Sequence, residues 1–318
     1  MNCIICNNNE NNQDFRIKEL QLGLGDEFNY QLCGHCGSMQ LLDPPADLSR
    51  YYPNEDYYSF KLEMKELAKP GYARTAKTKH LLYGKKNLVG WLFSIGYKEP
   101  EFYTWMKNAK TQLNDAILDV GCGNGSLLTR LYKMGFTNLT GIDPFINEDH
   151  NYGAIKIYKK EIFDLQEKFD LVMMHHSLEH MFEPLKALQK AWSLLNDDGC
   201  LLVRIPIMGN YGWQKYKEYW CGIDAPRHIF IPSEKGMRML AEQAGFAIEK
   251  LEYDSSDYVA WSSEQYLKGI PLHAPNSRMV NKKNSVFSEK EIGEFKKIIS
   301  HQNQKNNGDT AAFYLRKK

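Results

Sequence analysis

The chain has 318 residues, with 40 Lys and Arg against 39 Asp and Glu, for a formal net charge of +1. That balance lacks the basic footprint of a nucleic-acid binder, and the apolar runs are far too short to span a bilayer. With 43% hydrophobic residues, and no basic-then-apolar stretch behind MNCIICNNN to read as a secretory signal, the expectation is a cytoplasmic protein with a sizeable core, no membrane span and no nucleic-acid partner.

Residues 1–45 hold four of the seven cysteines, as Cys3-Ile-Ile-Cys6 and Cys33-Gly-His-Cys36. Paired spacing of this kind is hard to reach by accident, and in a reducing compartment it favours a metal over disulfides. Two such knuckles supply four thiolates, enough for a closed tetrahedral Zn2+ site. A closed site has no position left for substrate, so the expected metal is structural. Cys122, Cys200 and Cys221 read as small buried hydrophobes.

Residues 46–110 read as a linker and a helical region. Tyr51, Tyr52, Tyr57 and Tyr58 in YYPNEDYYSF are expected to cover a ligand pocket or to form a packing cluster. The Lys- and Arg-rich helix around 74–93 reads as a solvated face, with the phosphates of a nucleotide sugar as the other candidate contact.

Residues 111–318 alternate strand and helix, with a polar helical insertion at 254–309. AILDV (116–120) ends at glycines and reads as a buried strand. SLLTRLYKMG follows as a helix, with Gly135 as its C-cap. NLTGID (138–143), AIKIY (154–158), FDLVMM (169–174) and CLLVRIP (200–206) read as further strands. PLKALQKAWSLL reads as a helix with Leu185, Leu188, Trp192 and Leu195 on one face. Ser233 caps a helix that Gly245 stops. FAIEKLEY and TAAFYLRKK supply two late strands. The alternation predicts an α/β fold, a mainly parallel sheet with helices on both faces.

In such sheets the ligand lies at the carboxyl ends of the strands. Asp119-Val-Gly121-Cys-Gly123-Asn-Gly125 occupies that end of the first strand, where missing side chains let a ligand approach the backbone. A dinucleotide fingerprint wants Gly or Ala three residues after the second glycine, and Ser126 stands there. Asp119 would also repel a pyrophosphate. Asp143 lies about 20 residues further on, where an acid grips ribose hydroxyls. A ribose, a cationic amino-acid tail and no phosphate describe S-adenosylmethionine (SAM).

ILDVGCGNGSLL, GIDP, FDLVMMHHSLEHMFEP, LLNDDGCLLVRIP and DAPRHIFIPSEKGMRMLAEQAGF together resemble the successive motifs of class I SAM-dependent methyltransferases. The resemblance implies a Rossmann-like sheet of seven strands, the last antiparallel, preceded here by a small zinc-knuckle segment. It implies that Asp119 and the backbone of Gly121, Gly123 and Gly125 hold the methionine part, and that Asp143 holds the ribose. Glu161 stands where the family usually places an Asp near the adenine. Cys122, Pro144, Ile162 and His175 complete the expected cofactor set.

The cysteine pairs, YYPNEDYYSF, SSEQYLKGIP and NNGDTAAFYL resemble a bacterial group with an N-terminal zinc-binding segment. That group includes deoxysugar C-methyltransferases and enzymes associated with surface polysaccharides. The implied acceptor is a sugar, nucleotide-linked or part of a glycan. His228, in APRHIF, stands where those enzymes have a proposed base. His176 is the second candidate; with His180 it reads either as a pair of metal ligands or as a structural start beside the cofactor. Two rivals remain. One is an NAD-dependent sugar oxidoreductase, disfavoured by Ser126 and Asp119. The other is a non-catalytic zinc ribbon that binds RNA or protein.

Overall fold

A computed structural model of the chain describes residues 1–52, 68–84, 87–283 and 285–318. Tyr57 and Tyr58 lie outside the described residues.

The first 45 residues are more ordered than their pattern suggests. Strands β1 (Gln13–Lys18) and β2 (Glu27–Leu32) pair antiparallel, and β3 (Met39–Leu41) follows on β2. The helical region holds three α-helices among its described residues. Helix α1 (Tyr72–Tyr83) ends at Gly84 in the left-handed conformation, and α2 (Leu88–Ser94) restarts where the Asn87 side chain accepts a hydrogen bond from Gly90 N. Helix α3 (Glu101–Asn108) begins after Pro100, whose missing N–H costs nothing at that place.

The alternating region then runs β4 (Ala116–Val120), α4 (Ser126–Met134), β5 (Asn138–Ile142), β6 (His150–Asn151), β7 (Ile155–Tyr158), β8 (Phe169–His175), α5 (Pro184–Leu194), β9 (Leu195–Pro206), α6 (Tyr211–Tyr216), β10 (Phe230–Ile231), α7 (Glu234–Gln243) and β11 (Phe246–Tyr253). Helices α8 (Tyr258–Leu267) and α9 (Glu289–Gln304) occupy the insertion, and β12 (Thr310–Lys317) closes the chain.

The large sheet has the order β11-β12-β9-β8-β4-β5-β7-β6. Strands β7, β5, β4, β8 and β9 are parallel, and β12 is antiparallel to both of its neighbours. This is the expected seven-strand arrangement with its last strand reversed. A two-residue edge strand, β6, is added by a hairpin on β7.

Period-two alternation sends Ile117 to one face and Leu118 to the other. Ile117 joins Leu82 of α1, Met106 of α3 and Leu128 of α4. Leu118 joins Leu188 of α5 and Leu240 of α7. On α5 the buried stripe is Pro184, Ala187, Leu188, Ala191 and Leu194. The expected stripe is thus rotated by about one residue. Trp192 is 38% exposed, with the Lys317 ammonium 4.4 Å above its ring. Two alanines on the buried face let α5 lie close to the sheet.

A second, four-stranded sheet has the order β1-β2-β3-β10. Its last pairing, Met39 with Ile231 and Gln40 with Phe230, ties the N-terminal segment to the loop after His228. A third cluster of buried residues spans Tyr30, Met39, Trp213, Trp220, Trp261 and Phe287, so the N-terminal strands and the insertion share one core.

Candidate functional site

Beyond the carboxyl ends of β4, β5, β8 and β9 the chain encloses a cavity of about 830 Å³. One end is made by backbone. Gly121, Gly123 and Gly125 all have positive φ, which suits residues without a side chain. A Cβ on Gly121 would lie 2.6 Å from the Ser177 Cβ, so this turn is closed to larger residues. Gly121, Gly123, Asp143, Pro144, Glu161, Ile162 and His175 all line the cavity.

Asp143 is held from below. Gly123 N and Phe145 N donate to its two carboxylate oxygens at 3.0 and 2.9 Å. Burial pushes its pKa up, against those bonds. Asp119 is buried behind the loop and does not line the cavity; burial and then the nearby Asp143 push it up to about 7. Two neighbouring carboxyls, Asp143 on the cavity wall and Asp119 buried behind it, suit a ligand that brings positive charge. The Cys122 thiol also turns away from the cavity, against Gly141. Glu161 caps a short 3-10 turn, exchanging hydrogen bonds with Asp164. Both ring nitrogens of His175 are buried with no hydrogen-bond partner, and the ring packs 4.4 Å from Trp105. A buried imidazole without partners awaits one.

The other end is made by side chains. His228 Nδ1 lies 2.9 Å from the Gly222 carbonyl. A carbonyl only accepts, so Nδ1 carries the proton and the lone pair of the neutral ring is on Nε2. That Nε2 lies 3.7 Å from Asp224 and 3.9 Å from Glu179. The His180 ring packs edge-on at 4.8 Å, and its Nδ1 donates to the Arg227 carbonyl. Glu179 is fully buried; burial works to raise its pKa, but the hydrogen bond from His176 Nδ1 and the neighbouring imidazoles bring it down to about 2. Arg227 is buried and bonds Asp224 and the Tyr51 carbonyl. Tyr30 OH donates to the His228 carbonyl at 2.9 Å, fixing the His228 loop to β2.

His176 has φ of +51°, a left-handed residue at the strand end. Its ring bridges Glu179 and Arg204, and Arg204 is in turn paired with Asp254 at 2.7 Å. Tyr52 lines the cavity and stacks on Phe145, while Tyr51 is buried and bonds Asp26.

Sequence reading missed Glu179, Arg204, Asp224 and Asp309 as parts of the site. Asp309 is buried on the cavity wall, bonded to Gly212 N through one oxygen and without a partner on the other; burial pushes it up to about 7. The DAPRH stretch did hold a signal, since Asp224 and Arg227 are three apart, the spacing of an ion pair on one turn.

Outside the cavity lining the four paired cysteines converge. Cys3 and Cys36 sulfurs lie 3.6 Å apart, Cys6 and Cys33 sulfurs 3.5 Å apart, and all four within 4.8 Å of one another. Tetrahedral zinc–thiolate bonds of about 2.3 Å require sulfurs about 3.8 Å apart. The backbone of each turn is set for this: Asn7 and Gly37, each one residue past a pair, are left-handed. Amides of His35 and Cys36 point at the Cys33 sulfur. The donor set fits a zinc knuckle.

Residues 101–251, just under half of the chain, match the family model described as a methyltransferase domain. The chain is 37% identical over 90 residues to EEF1A lysine methyltransferase 2 of Danio rerio, covering 28% of this chain and 37% of that protein. It is 25% identical over 178 residues to the tRNA U34 carboxymethyltransferase of Campylobacter fetus subsp. fetus (strain 82-40), covering 50% of this chain and 61% of that protein. The chain thus spans less than two thirds of either relative. Among solved structures, the cyclopropane synthase MmaA2 from Mycobacterium tuberculosis aligns with a TM-score of 0.45 at 13% identity, over 78% of this chain and 99% of that one.

Proposed function

We propose that this chain, which carries a methyltransferase domain, is a SAM-dependent methyltransferase that acts on a sugar hydroxyl, with His228 as its base and zinc in the four-cysteine knuckle. One observation carries the reading. A bare glycine loop with an acid 20 residues on and an oriented, buried histidine open onto the same cavity.

SAM, when bound, supplies an electrophilic methyl on a sulfonium. Asp143 is pre-set to receive ribose hydroxyls, because two backbone amides already fix its carboxylate. The glycine loop admits the amino-acid tail, and the Asp119–Asp143 pair favours its positive charge. Glu161 and Ile162 flank the expected adenine position. His175 offers an unpaired ring nitrogen to the same ligand.

The chain's remaining task is to align the acceptor and remove its proton. Gly222 holds His228 in the tautomer with Nε2 free. When that nitrogen takes the proton, Asp224 and Glu179 stand within 4 Å to stabilise the imidazolium. His176 is engaged by Glu179 and Arg204 on both nitrogens, which leaves it less free to act. The zinc would close the knuckle and hold β3 against β10 beside the base.

Calorimetry with SAM and its demethylated product, S-adenosylhomocysteine, tests the cofactor. Incubation with labelled SAM and a panel of nucleotide sugars, read as a gain of about 14 Da per transfer, tests the acceptor. The relatives are named for a protein lysine and a tRNA base, so the panel includes a protein fraction and tRNA. Transfer to either, and to no sugar, would refute the sugar assignment. Absence of SAM binding would refute the whole reading.

A further inference from the structure

Helices α1 and α2 carry a surface that the cavity does not use. From residue 68 to residue 98 the sequence has seven basic residues and no acidic one, within a chain of net charge +1. In the middle of this stretch apolar side chains face solvent. Leu88 is 77% exposed, Trp91 52%, Leu92 57%, Phe93 56% and Ile95 62%. Gly90 is the buried residue of α2, and a Cβ there would meet the Ala76 carbonyl oxygen at 2.5 Å. The close crossing seats α2 firmly on α1, so the apolar residues project from a fixed base. That base is cationic: the Lys77 ammonium lies 3.4 Å above the Tyr97 ring, and Lys79 and Lys98 are exposed.

A contiguous exposed apolar patch marks an interaction surface. Here the patch is a short helix and the turn after it, with exposed apolar groups at five of eight successive positions and basic residues on either side in the sequence. A protein partner would need a matching groove and acidic rim. A lipid headgroup layer needs neither, since it receives Trp and Phe at its boundary and offers phosphates to lysines. Among the described residues no helix is long and apolar enough to cross a membrane, so any such element lies on the surface.

We propose that the α1–α2 hairpin is a peripheral anchor for an anionic lipid surface, with Leu88, Trp91, Leu92, Phe93 and Ile95 entering the headgroup boundary and the surrounding lysines facing lipid phosphates. This stands apart from the proposed chemistry, because none of these residues lines the cavity.

Sedimentation of the full chain with vesicles tests it. With equal parts phosphatidylcholine and phosphatidylglycerol at low salt, the protein should pellet with the lipid. Pure phosphatidylcholine should bind about tenfold more weakly, and so should the double variant Trp91→Glu, Phe93→Glu on mixed vesicles. Both positions are exposed, so the variant should melt at the same temperature as the parent. Trp91 emission should shift to the blue on vesicles, a change lost in Trp91→Phe. A parent that stays in solution with mixed vesicles overturns the proposal. So does a double variant that binds them as tightly as the parent, or a stable dimer that Phe93→Glu converts to monomer, which would give the patch to a second copy.

Discussion

The two ends of the cavity are built by different means. The proposed cofactor end is mostly local: β4, its glycine turn and the tip of β5 supply the glycines and Asp143 within residues 116–145, Glu161, Ile162 and His175 join from further along, and backbone geometry does most of the shaping. The proposed acceptor end gathers Tyr52, Glu179, Arg204, Asp224, His228 and Asp309 from five separate stretches, and side-chain contacts hold it. A local site depends on few interactions and tolerates distant change. A gathered site fails if any of several supports is removed.

The largest test of this contrast is at the base. His228→Gln should lower turnover by ~100- to 10,000-fold, while affinity for S-adenosylhomocysteine stays within a few-fold. Parallel rate and binding assays check it, and a variant with normal turnover would move the base to another residue.

Asp143→Ala should do the reverse. Loss of two charge-assisted hydrogen bonds to the ribose should cost roughly 2–4 kcal/mol, about 30- to 1000-fold in cofactor affinity. With saturating cofactor, turnover should recover substantially. Calorimetry that finds unchanged affinity would remove Asp143 from the cofactor site.

Cys33→Ser probes the connection between the knuckle and the base. It should release one zinc per chain, measurable by metal analysis, and make the N-terminal segment protease-sensitive. Because β3 pairs with β10 and Tyr30 bonds the His228 carbonyl, turnover should fall more than cofactor affinity. Equal losses at both ends would show that the knuckle supports the whole domain rather than the acceptor end.

The smallest effect concerns Glu179. Its carboxyl is held near 2 in the folded chain, below the ~4.3 of an unfolded one. The folded state therefore binds fewer protons in that interval. The carboxylate contributes stability that is fully present above about pH 4.5 and lost as pH falls toward 2. Glu179→Gln should flatten the acid limb by about one proton. Urea unfolding midpoints between pH 6 and pH 3 measure it.

What could be read from the sequence follows the same division. Helix α7 was legible because Ser233 caps it, the Gly236 amide confirming the bond at 2.9 Å, and Gly245 stops it in a left-handed conformation. The knuckle was legible because its four ligands come in two short pairs. The sheet was legible because buried parallel strands read as apolar runs. Strands β1 and β2 were not, since each buries few residues, Ile17 in β1 and Tyr30 with the polar Gln31 in β2, and most of their other positions are polar or charged. The stripe on α5 was misassigned because Trp192 counted as core, when two alanines were the residues that needed contact. The partners of His228 were invisible for a different reason. Asp224 and Glu179 meet its ring only after β8 and the 208–231 stretch are folded against each other, and no sequence spacing records that.

The hydrogen bond from Tyr30 to the His228 carbonyl joins residues 198 positions apart, and that separation has a consequence during synthesis. The knuckle and β1–β3 leave the ribosome before β10 does. Their pairing partner β10 follows about 190 residues later, roughly 10–40 s at ordinary elongation rates. For that interval the edge of β3 has its N–H and C=O groups free, an open template for other nascent chains. Early metal capture would hold the short segment folded while it waits. Under the proposed zinc assignment, metal supply would then govern yield of soluble protein before it affects any property of the finished protein.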